Sequence, residues 1–272
     1  MKEYKRNNWD DNELYFLKDN FNKYTYPELS ELLKRSRSAI QHKVTMLGLR
    51  KTQYSNKKKQ LNDGYFHIID SEEKAYWLGF ISADGTINNY HNGQYGFKLS
   101  LQESDSSFLQ KFLYAISAKF DMAHKETFKY NKIYKSCEIS FRSKEFVKDL
   151  LQYMTFNKTN CIKIPKINKE FIRHYIRGFI DGDGCFYINK NNPKKKFFEI
   201  VAFDDTILLD IQKEFNNYDI VSKIYIKKNN NKKLGVYANN SLIKLHHYLY
   251  DDATIFMQRK YDKSLKILKL AA

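Results

Sequence analysis

The chain has 272 residues, of which 42% are hydrophobic and 16% aromatic, so it can bury a sizeable core. Its 47 Lys and Arg against 31 Asp and Glu give a net charge of +16, which favours an anionic polymer as partner. No long apolar run predicts a membrane span, and the N-terminus lacks the apolar stretch of a secretory signal.

The cysteines point to a reducing compartment. Cys137, Cys161 and Cys185 have the spacing of neither a disulfide framework nor a zinc site, so we expect reduced, mostly buried thiols. We therefore expect a cytoplasmic protein of a bacterium or phage, or an organellar one if an organelle encodes it, and not a secreted protein.

Residues 9–50 predict three short helices. Asp10 can cap the first, Thr25 and Glu28 form a capping box for the second, and Ser36 can cap a third that Gly48 ends. Their apolar positions predict one small core, formed by Trp9, Leu14, Leu17, Leu29, Leu32, Ile40, Val44 and Leu47. This stretch resembles a Myb/SANT-like helix-turn-helix, a resemblance carried by Trp9, Leu29, Leu32 and the third helix, SRSAIQHKVTMLGL. It implies a DNA-binding domain over residues 1–50.

The third helix has a polar face beside its apolar stripe. A recognition helix would present that face to a DNA major groove through Arg37, Ser38, Gln41, His42 and Thr45. Phosphate partners are available in Arg35, Arg37, Lys43, Arg50 and Lys51. An ordinary solvated face has the same pattern. Residues 51–70 follow as a predicted basic linker.

From residue 71 onward the sequence repeats. Residues 76–85, YWLGFISADG, recur as residues 175–184, YIRGFIDGDG. Small residues stand four apart in each copy, as Gly79 and Ala83 and then as Gly178 and Gly182, so the two helices can pair closely. Pairing would bring Asp84 and Asp183 together at negatively polarised helix ends. A hard divalent cation, Mg²⁺ first of all, is the occupant that such a site favours.

Each motif helix opens a similar run of elements. The first is followed by strands over 86–102, a helix after Ser104 or Asp105, strands over 127–141 and a helix after Ser143. The second is followed by strands over 185–203, a helix after Asp204 or Asp205, strands over 223–239 and a helix from Ser241. We predict one pseudo-twofold α+β domain over residues 71–272, with halves 71–165 and 166–272.

WLGFISADG and IRGFIDGDG resemble the two signature helices of a double-motif LAGLIDADG homing endonuclease. The resemblance implies two αββαββα repeats whose antiparallel sheets form a saddle on duplex DNA. It also implies site-specific hydrolysis of both DNA strands with Mg²⁺ or Mn²⁺. The family's eighth-position, metal-binding acid falls on Asp84 and Asp183, and its sixth position on Ser82 and Asp181.

Further site residues follow from the same resemblance. The backbone carbonyls of Ala83 and Gly182 would add metal ligands. Family members also place a Gln and a basic residue near each ion, for which Gln102 and Arg142 are the first-half candidates. The second half has Ala202 or Phe203 and Asn239 or Asn240 at the corresponding positions, which leaves a loop lysine as its basic candidate.

The strand over residues 95–102 alternates cleanly, with apolar side chains on one face and polar ones on the other. The polar face and the lysines of neighbouring strands would lie along a DNA groove, and the predicted contacts are Lys98, Ser100, Lys129, Lys132, Lys135, Lys227 and Lys228. The exposed face of any antiparallel sheet has a similar pattern.

Two other functions use the same scaffold. One is a non-cleaving transcription regulator with a helix-turn-helix, against which the retained Asp84 and Asp183 argue. The other is an RNA maturase that assists intron splicing, with intron RNA as its partner. A helix-turn-helix is a duplex-DNA device and so favours DNA. We expect a monomer that binds a double-stranded DNA target site and no membrane.

Overall fold

The computed structural model describes residues 8–21, 24, 26–49, 60–90, 94–155, 162–202, 205–226 and 231–271. The chain divides into two compact units, Met1–Lys59 and Gln60–Ala272. Within the described ranges, no helix is long and apolar enough to cross a membrane.

In its described residues the first unit contains three helices, α1 (Asp11–Asn20), α2 (Tyr26–Leu33) and α3 (Arg37–Met46). The predicted caps of α1 and α3 are confirmed, because Asp10 accepts a hydrogen bond from the Glu13 N–H at 2.8 Å and Ser36 accepts one from the Ala39 N–H at 3.2 Å. Gly48 follows α3 with φ +63°, the left-handed region that suits glycine. Thr25 lies outside the described residues, so its capping box stays a prediction.

The core of this unit differs from the prediction around α1 and in α2: Phe21 is buried in it although it was not predicted, and the predicted Leu14 is only half-buried. Leu33 is buried whereas Leu32 is 53% exposed, because the buried face of α2 runs through Leu29 and Leu33, one turn apart. Arg35 is also buried. Its guanidinium lies 2.7 Å from a Glu13 carboxylate oxygen, so this arginine stabilises the unit and is wrongly predicted as a phosphate partner.

The second unit consists of two similar halves. The first half contains α4 (Glu72–Asp84), β1 (Thr86–Tyr90), β2 (Gln94–Gln102), α5 (Ser106–Ala115), β3 (Ala123–Lys129), β4 (Lys132–Arg142) and α6 (Lys144–Leu151). The second contains α7 (Ile172–Asp183), β5 (Gly184–Ile188), β6 (Lys196–Ala202), α8 (Thr206–Asn216), β7 (Lys223–Ile226), β8 (Lys232–Val236), α9 (Asn239–Tyr250) and α10 (Gln258–Ala271). The predicted αββαββα repeat is confirmed, and α10 is an element that the sequence analysis missed.

Each half forms a four-stranded antiparallel sheet, with strand orders β1-β2-β4-β3 and β5-β6-β8-β7. One face of each sheet packs on the helices, as Phe97 and Leu99 of β2 and Phe198 and Ile200 of β6 show by their burial. The opposite face of each sheet is open to solvent. The motif helices α4 and α7 pack against each other between the two halves.

The predicted linker over residues 51–70 is wrong in its second part. Tyr65, Phe66 and Ile69 are buried in the core of the second unit, and the Gln60 carbonyl accepts a hydrogen bond from the Lys119 N–H at 2.8 Å. Apolar and aromatic residues over 61–69 therefore attach this stretch to the second unit. Residues 51–59 lie outside the described residues.

Ser241 does not start a helix as predicted. It lies within the first turn of α9, and its hydroxyl accepts a hydrogen bond from the Val221 N–H at 3.1 Å. The serine therefore ties α9 to the loop before β7, and α9 begins two residues earlier.

Candidate active site at the paired motif helices

The two motif helices approach closely because glycines face each other's backbone. A Cβ atom added at Gly79 would fall 2.8 Å from the Tyr175 carbonyl carbon and 3.0 Å from the Phe179 nitrogen. One added at Gly178 would fall 2.9 Å from both the Tyr76 carbonyl carbon and the Phe80 nitrogen. These contacts are reciprocal, as a twofold axis between α4 and α7 requires. The predicted helix interface is confirmed at these two glycines.

The pairing brings the acidic ends of both helices to one place. Asp84 ends α4 and is half-buried, while Asp183 ends α7 and is exposed. A Cβ at Gly182 would lie 3.2 Å from the Asp84 Oδ2 atom and would collide with the Ala83 Cβ. Ala83 and Gly182 therefore belong to the interface as predicted, and the Asp84 carboxylate lies beside the residue that precedes Asp183.

This donor set fits a Mg²⁺ ion. Mg²⁺ in enzymes commonly takes one or two carboxylates and leaves its other positions to water and substrate phosphate oxygens. Asp84 and Asp183 supply two carboxylates, with the backbone carbonyls of Ala83 and Gly182 as further oxygen donors nearby. Among the described residues no three His, Cys, Asp or Glu side chains gather into a larger metal site. Asp84, Asp183 and the carbonyls of Ala83 and Gly182 are the residues that would hold the ion, and this assignment stays a prediction.

Asp181, the sixth-position acid, has a structural role. It is fully buried and accepts hydrogen bonds from the Tyr76 hydroxyl at 2.7 Å, the Tyr250 hydroxyl at 3.1 Å and the Met257 N–H at 2.7 Å. Burial raises the pKa of this carboxyl, whereas these donors act in the opposite direction. The acid thereby joins α4, α9 and the segment before α10 around the end of α7.

Arg177, which departs from the family signature, is a second buried connector. Its guanidinium donates to the Ile255 carbonyl at 3.0 Å, to the Leu249 carbonyl at 3.1 Å and to the Glu72 carboxylate at 2.5 Å. Glu72 begins α4, so this ion pair links the two halves of the unit. It is surrounded by protein, because Arg177 has no exposed surface.

Lys260 of α10 is a site residue that the sequence analysis missed. Its ammonium donates to the carbonyl of Gly184, the residue that follows Asp183. Burial lowers the pKa of Lys260 and Arg259 lowers it further, while Asp181, Cys185 and Asp84 raise it. Lys260 is thus a buried cation beside the acidic helix ends. A signal for it exists in the sequence, since Lys260 shares a helical stripe with Ser264 and Ile267.

The cleft beside Lys260 has four basic side chains and one acidic side chain, Asp262. It has a volume of about 370 Å³ and opens between β5 and α10, and its lining includes Gly184, Cys185, Arg259, Lys260, Lys263 and Lys266. Cationic side chains of this kind suit a phosphate group. Cys185 is exposed in this cleft, contrary to the expectation of mostly buried thiols.

Gln102 is connected to the same region. Its amide donates to the Asp105 carboxylate at 3.0 Å, and Asp105 accepts two further bonds from the Arg259 Nε at 3.1 and 3.2 Å. Arg259 precedes Lys260 in the chain. These hydrogen bonds therefore connect Gln102 of the first half to the residue next to Lys260 in the second half. Arg142 donates to the Gln94 side chain at 3.1 Å, toward the β1–β2 turn, and its catalytic role stays a prediction.

The predicted saddle contacts fall into three groups. Lys98, Ser100, Lys129 and Lys132 lie on the open face of the first sheet, where Lys98 pairs with the buried Glu138 at 2.7 Å. Lys135 alternates with these residues and instead lies on the opposite face, paired with Glu126 at 2.8 Å, so it is wrongly placed in the prediction. Lys227 and Lys228 lie outside the described residues.

The candidate DNA-reading residues of the first unit are solvent-accessible. Arg37, Ser38, Gln41, His42 and Thr45 are all exposed along α3. Exposure is compatible with base reading and with simple solvation alike. Their role, and the Myb/SANT resemblance of the unit, stay predictions.

Similarity to known proteins covers the second unit. Residues 73–170 match the family described as WhiA LAGLIDADG-like domain, and residues 170–251 match the LAGLIDADG-like domain. The uncharacterized protein MJ0314 of Methanocaldococcus jannaschii is 25% identical over 178 residues, which span 64% of this chain and 65% of that protein. The similarity thus spans less than two thirds of that relative.

Solved structures share the fold. The LAGLIDADG homing endonuclease I-LtrWI, bound to target DNA, is 13% identical with a TM-score of 0.52, over 77% of this chain and 91% of that one. I-GzeII, in complex with its DNA target, is 14% identical with a TM-score of 0.53, over 72% and 89%. I-WcaI, bound to its DNA recognition sequence, is 13% identical with a TM-score of 0.52, over 80% and 97%. Two glycine-paired motif helices, two four-stranded sheets and two domain matches over residues 73–251 together show that this chain belongs to the LAGLIDADG family.

Proposed function

We propose that this protein binds a specific double-stranded DNA site and hydrolyses a phosphodiester bond in each strand with a divalent cation. The observation that carries the proposal is the convergence at the α4–α7 interface. There the Asp84 carboxylate lies beside Gly182, and the Lys260 ammonium donates a hydrogen bond to the Gly184 carbonyl. Gly182 and Gly184 are the two neighbours of Asp183 in the chain. The solved relatives that share this fold are bound to DNA, which supports a duplex as the partner.

Each group has a distinct task in this proposal. Asp84 and Asp183 would hold the cation, which when bound supplies Lewis-acid stabilisation of the phosphate and a more acidic water. Lys260 would place a fixed positive charge beside the phosphate, where charge develops during hydrolysis. The buried network around Asp181 and Arg177 fixes the helix ends, so these groups are positioned before substrate binds.

The test begins with a cleavage selection from a randomised duplex library in Mg²⁺, which identifies a target site. Asp84→Asn or Asp183→Asn is then expected to abolish double-strand cleavage of a plasmid carrying that site. Binding in a gel-shift assay should stay within about tenfold, or roughly 1.4 kcal/mol, because it rests on the sheets and their lysines. A variant that linearises the plasmid at the parental rate would overturn the assignment of these carboxylates.

The match of residues 73–170 to a WhiA LAGLIDADG-like domain favours a second candidate function, DNA binding without cleavage. The same library distinguishes the two functions when it is also selected for binding in gel-shift rounds. A wild-type protein that binds one duplex site tightly and leaves it intact in Mg²⁺ and Mn²⁺ would support the non-cleaving function. Linear product that disappears with Asp84→Asn would support the nuclease.

A further inference from the structure

Asp105 stands where a helix-capping residue is expected but does not cap a helix. It directly precedes α5, and an aspartate in that position ordinarily accepts a hydrogen bond from the first turn of the helix. The Asp105 side chain makes no such bond. Only 8% of this side chain is exposed. Because a buried carboxylate is costly to desolvate unless hydrogen-bond donors surround it, the donors that Asp105 has instead indicate its role.

These donors come from both halves of the second unit. The side-chain amide of Gln102, at the end of β2, donates to one carboxylate oxygen of Asp105 at 3.0 Å. The Nε group of Arg259, in α10, lies 3.2 Å and 3.1 Å from the two carboxylate oxygens. One buried carboxylate therefore orients two side chains that belong to different halves of the fold.

Arg259 brings a second cation to the cleft between β5 and α10. Its side chain is 47% exposed and lines the cleft together with Gly184 and Lys260. Burial lowers the pKa of Lys260 and the charge of Arg259 lowers it further, so the two cations are close enough to repel each other. The negative charge of Asp105 offsets this repulsion. It therefore allows both cations to lie at one edge of the cleft.

The way in which Asp105 holds Arg259 leaves the end of the guanidinium available. Among the described residues, Arg259 donates to Asp105 through Nε and has no acceptor bonded to its two terminal Nη groups. A guanidinium binds a phosphate through parallel N–H groups of this kind. The geometry thus suits an arginine that is fixed on one side by the protein and meets a phosphate on the other.

The bond to Asp105 also determines which way the Gln102 amide faces. An ionised carboxylate accepts hydrogen bonds and donates none, so the NH₂ group of Gln102 must face Asp105. The carbonyl oxygen of Gln102 then faces away from the carboxylate and stays an acceptor. An acceptor of this kind can orient a water molecule for attack on a phosphate.

We propose that Asp105 is a positioning residue of the candidate nuclease site, which holds the Gln102 carbonyl toward the attacking water and the Arg259 Nη groups toward a phosphate oxygen. Asp105 itself touches neither the water nor the phosphate. The inference rests on the proposed function and deepens it, because it explains how groups from both halves are held in one arrangement before DNA binds.

The test measures single-turnover cleavage of the selected duplex by the full chain, at protein concentrations that saturate binding. Asp105→Asn keeps the size of the side chain and removes its charge. It is expected to lower the rate about tenfold or more, because small displacements of positioned groups are costly to catalysis. Asp262→Asn is the matched control and should cleave like wild type. Asp262 also accepts a hydrogen bond from a glutamine, Gln258 at 2.9 Å, but both residues lie within α10.

A second comparison separates positioning from stability. If Asp105 acts through its two partners, Asp105→Asn should change the rate by less than about twofold in a chain that already carries Gln102→Ala and Arg259→Ala. A residue that only stabilises the fold would lower the rate by the same factor in either background. All rates are measured well below the melting temperature of each variant, which circular dichroism gives.

A third readout depends on neither cleavage nor the folding of the Asp105 variant. Duplex affinity of Arg259→Gln is measured against salt concentration without a divalent cation. The slope of log K against log salt should be smaller than that of wild type by about 1, as expected when one phosphate contact is lost.

Three results would each overturn this proposal alone. They are cleavage by Asp105→Asn at the parental rate, an equal loss of rate in both backgrounds, and an unchanged salt slope for Arg259→Gln. A wild type that cleaves no selected duplex would instead overturn the proposed nuclease, and this proposal together with it.

Discussion

Lys260 brings a positive charge to the candidate site from the last helix of the chain. Its ammonium contacts the Gly184 carbonyl; burial lowers its pKa, and the Asp181 and Asp84 carboxylates act in the opposite direction. A cation inside the protein stabilises a nearby negative charge more strongly than a cation in water does, because solvent screens the charge in water. The scissile phosphate is the group that would need it.

We therefore predict that Lys260→Met lowers the rate of plasmid cleavage about a hundredfold or more, the loss expected when a charged group at a reacting phosphate is removed. Methionine keeps much of the length of the side chain and avoids a cavity. Lys263→Met is the control, since Lys263 lines the same cleft but is exposed. Duplex affinity should change by less than about tenfold in both variants. Equal cleavage by both variants would show that Lys260 serves only the fold.

His174 makes stability depend on pH. It accepts a hydrogen bond from Arg177 at 2.9 Å, and burial together with the charge of Arg177 lowers its pKa to about 4, although Glu72 acts in the opposite direction. An unfolded histidine titrates near 6.5, so between pH 6.5 and 4 the unfolded chain binds more protons than the folded one. Acidification through this range should therefore reduce the free energy of unfolding, and the contribution is fully present above pH 6.5.

Between pH 7 and pH 5 we expect His174 to account for a loss of about 1 to 2 kcal/mol, since each pH unit corresponds to about 1.4 kcal/mol. Urea unfolding of the wild type and of His174→Gln at both pH values measures it. The glutamine keeps an acceptor for Arg177 and cannot be protonated, so its loss on acidification should be smaller. An identical pH dependence of the two proteins would contradict the prediction.

At the scale of elements, the α4–α7 pair determines where the acids lie. Gly79 and Gly178 each face the backbone of the opposite helix, and backbone cannot move away as a flexible side chain can. Gly79→Ala and Gly178→Ala are therefore expected to reduce the free energy of unfolding by about 3 kcal/mol or more, at the upper end for overpacking. Gly64→Ala is the control, because its Cβ would meet only Asn62, at 3.9 Å. Thermal unfolding monitored by circular dichroism compares the three. A wild-type melting temperature for Gly79→Ala would mean that the helices separate at little cost.

Many of these features could be predicted from the sequence because they depend on neighbouring residues. The others depend on contacts between residues far apart in the chain. Some signals are local, such as the caps at Asp10 and Ser36 and the strict alternation along β2. They can be predicted from neighbouring residues without knowledge of the tertiary structure. Lys260 was missed because a lysine is read as exposed unless its burial against Gly184 and Asp181 is known. The same holds for Arg35, which lies between α2 and α3 and whose partner Glu13 lies on α1.

The candidate site likewise contains some residues that the sequence motif identifies and others that only the tertiary structure reveals. Asp84, Asp183 and the interface glycines follow from a repeated motif and could be identified from the sequence alone. Positions fixed by long-range pairing could not. The Arg259–Asp105–Gln102 connection, for example, joins residues of the two halves.

At the scale of the whole molecule, the chain divides into two units with separate cores. The first has the exposed polar face of α3, and the second has the paired acids and the two sheets. If both units contact one duplex, the tether between them raises the effective concentration of the second contact once the first has formed. Affinity and footprint should then exceed what the second unit achieves by itself.

Deletion of residues 1–59 tests this arrangement, and the boundary is set by Gln60, whose carbonyl bonds to Lys119 within the second unit. We expect the remaining chain to stay folded and to cleave in Mg²⁺, because its core and candidate site are complete without the first unit. Its duplex affinity should fall by about tenfold or more and its footprint should shorten, since one of two linked contacts is lost. Gln41→Ala with His42→Ala in the full chain should reproduce part of the loss, by about 1 to 3 kcal/mol if either side chain reads a base edge. Gel shift and nuclease footprinting on the selected site measure both effects. An unchanged footprint and affinity after deletion would show that the three helices do not read DNA beside the cleavage site.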